Sequence, residues 1–382
     1  MSHYGKLGVD VHKKGIEAFK STSGIYEHSF CSIHPDPLRK GYGFVHHTDS
    51  AGSKVVQNYV NWKETGDMDS FRGIAQDTLA MNIGDVFAVG VPLATSFVDY
   101  VAINKFHVPK EELLKVLAED WDQQFRMLKK YGIETNFSGG ETADLPDQLK
   151  TFDVCGAIHA TYKLDSVITG EDIKPGDAII GISSGGKAKY EKTPAGHIMS
   201  NGLTLARHCL MKPELAIKYP EIYEEGKEYI GRFGPKSRVR GIKGNIGKEL
   251  TRPTRLFAPV FKGVIEKFKD NVHGIVFNTG GGNTKCLRIG SGIKYVKNNM
   301  PEPPPIFNLI KEEGNIPWKE MYMDLNMGVG ADLITSAEVS EEASRFIEKE
   351  FRIEASQIGE CRRARGKNKL RLETKHINTE YR

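Results

Sequence analysis

The chain is poor in cysteine. Cys31, Cys155, Cys209, Cys286 and Cys361 are scattered singly over 382 positions. No C-x-x-C pair offers zinc or dithiol chemistry, and an odd number of isolated thiols argues against a disulfide framework, so a reducing compartment fits best. No stretch approaches the roughly 18 uncharged apolar residues of a membrane span, and Met-Ser-His-Tyr-Gly-Lys at the start lacks the apolar segment of a secretory leader. These absences predict a cytoplasmic protein with no membrane partner. Charge of one sign is scarce too: 53 Lys and Arg against 49 Asp and Glu leave only +4. So small a surplus gives no electrostatic footprint for nucleic acid. What remains is a foldable composition, 39% hydrophobic and 27% charged, in a length that suggests about two or three domains.

Helices and strands alternate through the first 160 or so residues. Leu79, Ile83, Val86 and Phe87 recur at the helical period, which predicts a helix from Gln76 to Val89, closed by Pro92. Ala94 to Ile103 is β-branched and aromatic and reads as a strand that places Asp99 on the same face as Phe97 and Val101. Pro109 opens a second helix with Leu113, Leu117, Trp121 and Leu128 on its buried side, and Gly132 suits its end. Phe152 to Thr161 is a further strand. A second start follows at Lys174-Pro175-Gly176-Asp177, a turn leading into the apolar run Ala178 to Ile182, which puts a domain boundary between Lys163 and Asp172. The expected division is therefore 1–166 and 167–382. Met211 to Glu249 is charged and glycine-rich and reads as an insertion, at about 211–249. Pro301 to Pro305 should be extended, and the basic tail from Arg362 reads as a solvated edge or frayed end.

Candidate chemistry gathers at a few polar, glycine-containing segments. Asn82 and Asp85 are three apart on one helix and share a face, so both can reach one metal-bound phosphate. Thr48-Asp49-Ser50-Ala51-Gly52-Ser53-Lys54 sets a carboxylate and a lysine in one loop, and Gly139-Gly140-Glu141-Thr142 sets an acid beside permissive backbone. Gly181 to Lys187 nearly spells a phosphate-binding loop, but Ala188 stands where a metal-binding hydroxyl is required and no amphipathic helix follows, which rejects that reading. Thr279 to Asn283 is a glycine triplet open to either a turn or a phosphate contact. Ser200-Asn201-Gly202 leads into a helix, which simple capping explains equally well. His197 is a candidate for proton transfer or phosphate contact, against the plainer reading of an exposed loop histidine.

Taken in order, Tyr4 to Asp10, His47 to Lys54, Met81-Asn82-Ile83-Gly84-Asp85, Gly139 to Ala143, Ser200-Asn201-Gly202, Arg252-Pro253-Thr254-Arg255, Thr279 to Gly282 and Asn326-Met327-Gly328-Val329-Gly330 resemble the phosphoribosylformylglycinamidine cyclo-ligase (aminoimidazole ribonucleotide synthetase) family. The resemblance covers most of the chain. It implies a two-domain α/β (α+β) fold and a homodimer whose N-terminal domains, used for ATP binding and dimerisation, build a shared β-barrel. It also implies a reaction: formylglycinamidine ribonucleotide, the small-molecule substrate, is cyclised with ATP and Mg2+ to aminoimidazole ribonucleotide, ADP and phosphate in purine biosynthesis.

By match to the family's motifs, Asp49, Asp85 and Glu141 would bind the metal. Ser53, Lys54, Asn82, Gly139, Gly140 and Thr142 would join Asp49 and Glu141 around the nucleotide. Ser200, Asn201, Gly202, Thr279, Gly281 and Gly282 would contact the substrate or its phosphate, and Lys54, Asp85 and His197 would serve catalysis. The chain departs from the pattern in its first loop, His-Thr-Asp-Ser-Ala-Gly-Ser-Lys, where two glycines of the family's loop are missing. It departs again between Gly186 and Met199, where the loop is longer. A nucleotide-binding regulatory or scaffold paralogue is the alternative that the altered first loop leaves open.

Overall fold

The computed structural model of the chain describes residues 2–10, 15, 18 and 24–382. In the first half, five strands, β1 (His34–Pro35), β2 (Tyr42–Ser50), β3 (Ala94–Ile103), β4 (Thr135–Asp144) and β5 (Phe152–Lys163), form one sheet in the order β1-β2-β5-β3-β4. Only the β3–β4 pairing is parallel. The long β5 alternates buried and half-buried along its length, the period-2 pattern of a sheet covered on one face. The covering layer is the helix Ile74–Phe87, almost every residue of which is buried, with the longer helix Lys110–Lys130 beyond it. Ala94–Ile103 matches its expected strand residue for residue, and the expected helices differ from the observed ones by only a residue or two at each end.

A second sheet holds β6 (Ala178–Ser183), β7 (Val272–Phe277), β8 (Ile293–Lys297), β9 (Val329–Thr335), β10 (Ala355–Arg363), β11 (Lys369–Glu373) and β12 (Asn378–Tyr381) in the order β12-β11-β8-β10-β6-β9-β7. β7 and β9 are buried at every position, so they show no polar–apolar alternation, and the titratable residues they carry, His273 and Asp332, are paired with Asp177 and Lys297. The two halves meet through the helices Ile74–Phe87 and Ala258–Phe268. Gly84 sits where the first of these helices meets the end of β7, since a side chain there would run into the Phe277 ring.

Three sequence expectations change. Gly139 to Thr142 is not a loop but the middle of strand β4, where the pairing with β3 shifts register between Phe97 and Asp99. The tail is not frayed: β11 pairs with β8 and with β12, which forms the sheet edge, and Leu370 and Leu372 are wholly buried. The charged stretch after Met211 is a packed excursion rather than a loose one. Its Leu215, Tyr219, Ile222 and Tyr229 are buried, and Glu221 accepts a 2.5 Å hydrogen bond from the Tyr59 hydroxyl on the helix Lys54–Thr65. Within a single chain the first sheet is open, with no closed barrel among the described residues.

Candidate functional site

The C-terminal half of the helix Ile74–Phe87 and the end of β2 bring four side chains together. His47 Nε2 lies 3.2 Å from Asp85 Oδ2, and His47 Nδ1 lies 3.3 Å from Asn82 Oδ1. The Asn82 amide donates to the Asp49 and Thr78 carbonyls at 3.1 and 2.9 Å, which fixes its oxygen toward the histidine. Asp49 Oδ1 accepts from the Ser50 amide at 2.8 Å. Burial raises the Asp49 carboxyl above its usual range, with the Asp85 charge adding to the rise and the Ser50 amide opposing it. Burial pulls the His47 imidazole down, but the facing Asp85 carboxylate outweighs it and the net shift is upward.

The second half of the chain supplies the opposite wall. Lys285, half-buried, faces Asp85 and Asp49; burial lowers its ammonium while those two carboxylates support it. Its Nζ donates to Thr279 Oγ1 at 3.1 Å, at the head of the glycine triplet. Gly280, Gly281 and Gly282 all have positive φ, and a side chain at Gly282 would strike the Leu325 backbone, so the turn needs glycine for both conformation and close approach. Asn201 stands directly against Gly280. Carboxylates, an amide, a lysine and glycine backbone thus converge on one cleft between the two sheets. Hard oxygen donors of this kind suit magnesium with nucleotide phosphates.

Other expected residues lie elsewhere. The Lys54 side chain is wholly buried, its Nζ 2.6 Å from Asp77 Oδ1 and 2.7 Å from the Arg252 carbonyl. Its amine is thus committed to Asp77 and the Arg252 carbonyl, with no open face for the contact expected of it. Ser53 is likewise engaged, its hydroxyl 2.7 Å from Thr204 Oγ1 and its carbonyl accepting from Arg207 at 2.9 Å. Gly139, Gly140, Glu141 and Thr142 sit on exposed β4. The register runs from Asp49 through Gly156 and Asp99 to Gly140, three inter-strand steps or roughly 14 Å. The structure therefore does not bring Glu141 to Asp49 and Asp85 within one chain. Gly140 is required there, since a side chain would collide with the Asp99 carboxylate.

Ser200 is tied into the interior by hydrogen bonds to Asp77 Oδ1 and Thr254 Oγ1 at 3.1 and 2.9 Å, and the Gly202 amide donates to the Tyr4 hydroxyl at 3.1 Å. The lengthened loop is held from three sides. Arg255 donates to the Ser183, Gly185 and Gly186 carbonyls at 2.7, 2.8 and 3.0 Å and to Glu191 at 2.8 Å. Ser184 Oγ and Asn326 Nδ2 both donate to the His197 carbonyl, at 2.8 and 3.0 Å. Carbonyls that face a guanidinium cannot cradle a phosphate, and the next helix begins only at Leu203, in keeping with the rejected phosphate-loop reading. The His197 ring packs against Gly185 and borders a cavity of about 320 Å³ with Lys187, Lys243 and Arg252. Burial lowers its imidazole.

Sequence reasoning missed Asp77, His47 and Lys285. Asp77 stands five residues before Asn82, about 140° round the helix, so the three-residue spacing that flagged Asn82 and Asp85 does not reach it. His47 was inside a segment already singled out. Lys285 had no local signal, because only the fold carries it across to Asp85.

Residues 31–161 match the family described as AIR synthase related protein, N-terminal domain. A phosphoribosylformylglycinamidine cyclo-ligase of Methanocaldococcus jannaschii is 32% identical over 83% of this chain and 78% of its own length. That of Methanococcus vannielii is 32% identical over 94% and 92%, and that of Pyrococcus furiosus 35% over 82% and 77%. Among solved structures, Thermotoga maritima PurL complexed with ADP superposes with a TM-score of 0.54 at 13% identity, over 97% of this chain. The chain spans 47% of that PurL, about half its length. Escherichia coli HypE, a hydrogenase maturation protein, gives 0.52 at 12% identity over 89% of this chain and 85% of its own. These two structures share the fold alone, whereas the identity to the cyclo-ligases extends over most of both chains, and the chain belongs to the phosphoribosylformylglycinamidine cyclo-ligase family.

Proposed function

We propose that this protein is the ATP-dependent ligase that closes formylglycinamidine ribonucleotide to aminoimidazole ribonucleotide, with release of ADP and phosphate, in purine biosynthesis. The observation that carries this reading is the cleft itself. Asp49, Asn82 and Asp85 from one half face Lys285 and the Thr279–Gly282 turn from the other. Bound Mg-ATP would supply the γ-phosphoryl group and part of the charge neutralisation. Asp49 and Asp85 would hold the metal, with Asn82 fixing the position of Asp49 through its carbonyl. Lys285 and the glycine-turn amides would offset phosphate charge, which is the main electrostatic task in phosphoryl transfer.

The substrate's formyl oxygen is a poor leaving group, and phosphorylation turns it into a good one. The nearby nitrogen then attacks the formyl carbon, the C–O bond breaks, and phosphate departs. Asn201, Gly281 and Gly282, with Ser200 and Gly202 behind them, would hold the substrate so that both reacting ends meet in one site, which removes most of the entropic cost of closure. His197 would reach the substrate phosphate or leaving group from its cavity.

Two arguments support a homodimer with divided duties. The open face of the first sheet exposes Val98 and Tyr100, 39% and 40% accessible, and Phe137 is 46% accessible on β4. That strand lies at the sheet edge, and an unpaired edge beside apolar surface invites pairing with another chain. Glu141 and its glycines then serve the cleft of a second subunit rather than their own. Domains 1–166 and 167–382 and a cytoplasmic location complete this reading. ADP release measured with and without formylglycinamidine ribonucleotide tests it: turnover should depend on substrate and match aminoimidazole ribonucleotide one for one. Equal hydrolysis without substrate would refute it.

A further inference from the structure

One cluster in the cleft has a donor set that magnesium chemistry does not call for. Among the described residues, Cys31 Sγ, a His47 ring nitrogen and an Asp85 carboxylate oxygen lie within 4.8 Å of one another. Cys31 is buried, and its thiol points at the base of the helix through a 3.3 Å contact with the Asp85 carbonyl. The Asn82 oxygen can only accept, because its amide nitrogen is spent on Asp49 and Thr78. Nδ1 of His47 therefore carries a proton, and Nε2 is the nitrogen directed at Asp85. A backing acceptor that fixes the tautomer is the usual support behind a metal-binding histidine.

We propose that Cys31, His47 and Asp85 form a binding site for a thiophilic divalent cation of the zinc class, which shares Asp85 with the nucleotide's metal. A tetrahedral ion with ligand bonds of about 2.0–2.3 Å sets neighbouring donors roughly 3.3–3.7 Å apart. The observed 3.2 Å between His47 Nε2 and Asp85 Oδ2 is close to that edge, and the sulfur lies within 4.8 Å of both residues' donors. A thiolate and an imidazole favour zinc, cobalt or cadmium over magnesium, which takes oxygen ligands almost exclusively. On binding, the Cys31 S–H bond breaks, a sulfur–metal bond forms and the proton leaves to solvent. Any proton on His47 Nε2 leaves the same way. Three protein ligands leave a fourth position for water. Occupancy removes Asp85 from the magnesium site, so the cation competes with Mg-ATP; that competition rests on the functional reading above, and the metal binding does not.

The test is titration of the metal-stripped full chain with cobalt(II), followed by absorption. One equivalent should produce the intense visible bands of tetrahedral cobalt and a near-ultraviolet thiolate charge-transfer band, both abolished by zinc. Cys31→Ser should remove the charge-transfer band, Cys155→Ser should leave it, and His47→Gln should weaken cobalt binding at least tenfold. A wild-type spectrum without the charge-transfer band, or one that survives Cys31→Ser, overturns the site. If Cys31→Ser does not fold, His47→Gln decides, and unchanged affinity is then fatal. In the substrate-dependent assay, zinc should raise the apparent KM for Mg-ATP. An intact cobalt spectrum without that rise would overturn the shared role of Asp85 while the metal site stood.

Discussion

Lys54 Nζ and Asp77 Oδ1 lie 2.6 Å apart, and neither side chain has any accessible surface. The same carboxylate oxygen accepts from the Thr254 amide and hydroxyl at 2.7 and 2.6 Å and from Ser200 at 3.1 Å. Both charged residues belong to the first half of the chain, while Ser200, Arg252 and Thr254 belong to the second, so this buried knot ties the two walls of the cleft together. Removing one member of a buried pair strands the other charge, typically at about 3–5 kcal/mol. Lys54→Met and Asp77→Asn should therefore each lower the midpoint of thermal unfolding sharply, and Lys54→Met combined with Asp77→Leu should recover part of the loss. Lys54→Met that keeps its melting temperature yet loses all turnover would return Lys54 to the chemistry.

Asp85→Asn is nearly isosteric but removes a negative ligand, so the substrate-dependent rate should fall by roughly two orders of magnitude or more with the circular dichroism spectrum unchanged. Lys187→Ala, on the exposed part of the long loop, should cost far less. Equal losses in both variants at equal melting temperatures would revive the discarded phosphate-loop reading.

The parts of this site that a sequence can disclose are those in which spacing is the geometry. Asn82 and Asp85 were legible because three residues on a helix is a fixed distance. Ala94–Ile103 was legible because a β-branched run has one comfortable conformation. Lys54 was misleading for the opposite reason: a lysine near an acid looks the same in sequence whether it meets solvent or lies buried against Asp77. Glycine was ambiguous in a similar way. At Gly280 to Gly282 it permits a turn, whereas Gly140 is a clearance beside Asp99 within a strand, and composition does not separate the two. Lys285 depended wholly on topology.

Asp324 predicts an unusual pH dependence. Its carboxyl is buried with neither oxygen hydrogen-bonded, close to Glu320, and burial raises its pKa to about 7, with Glu320 adding to the rise. Tyr4 and Tyr381 also feel its charge, and Glu320 in turn holds His3. The folded chain keeps a proton that the unfolded chain loses above about pH 4, so this residue's contribution to stability falls as pH rises from about 4 to 7. Asp324→Asn should match the wild type at about pH 4 and exceed it at pH 8 by on the order of 2 kcal/mol. Chemical denaturation at the two pH values measures this, and a difference that does not change with pH would contradict it.

The open sheet face offers a test of the proposed dimer. Tyr100→Glu combined with Val98→Lys places charge on the exposed face of β3 without touching the helix-covered side. Light scattering should show a dimer for the wild type and a monomer for the variant, with activity lost alongside. A fully active monomer would remove the shared cleft and the role assigned to Glu141.

His197 lies in the lengthened loop, two residues before Met199, which directly precedes Ser200-Asn201-Gly202. A thioether can neither donate a hydrogen bond nor carry a proton at neutral pH, so Met199 cannot replace an imidazole. The backbone there is constrained: Met199 has φ 65, a left-handed conformation that non-glycine residues hold only when their surroundings enforce it. Asn326 supplies part of that enforcement by donating to the His197 and Ile198 carbonyls at 3.0 and 3.3 Å. The ring itself has no partner at Nδ1 and borders the cavity with Lys187, Lys243 and Arg252. Burial holds the imidazole neutral at pH 7, so it can contribute a hydrogen bond to a phosphate oxygen while the neighbouring cations contribute the charge. His197→Ala should therefore raise KM for the ribonucleotide about tenfold, the worth of one charge-assisted hydrogen bond, and leave KM for ATP nearly unchanged. Met199→Ala should lower stability through the strained loop more than it lowers turnover. Steady-state kinetics on both variants separates the roles, and wild-type behaviour of His197→Ala would remove this histidine from the substrate's surroundings, whatever Met199→Ala shows.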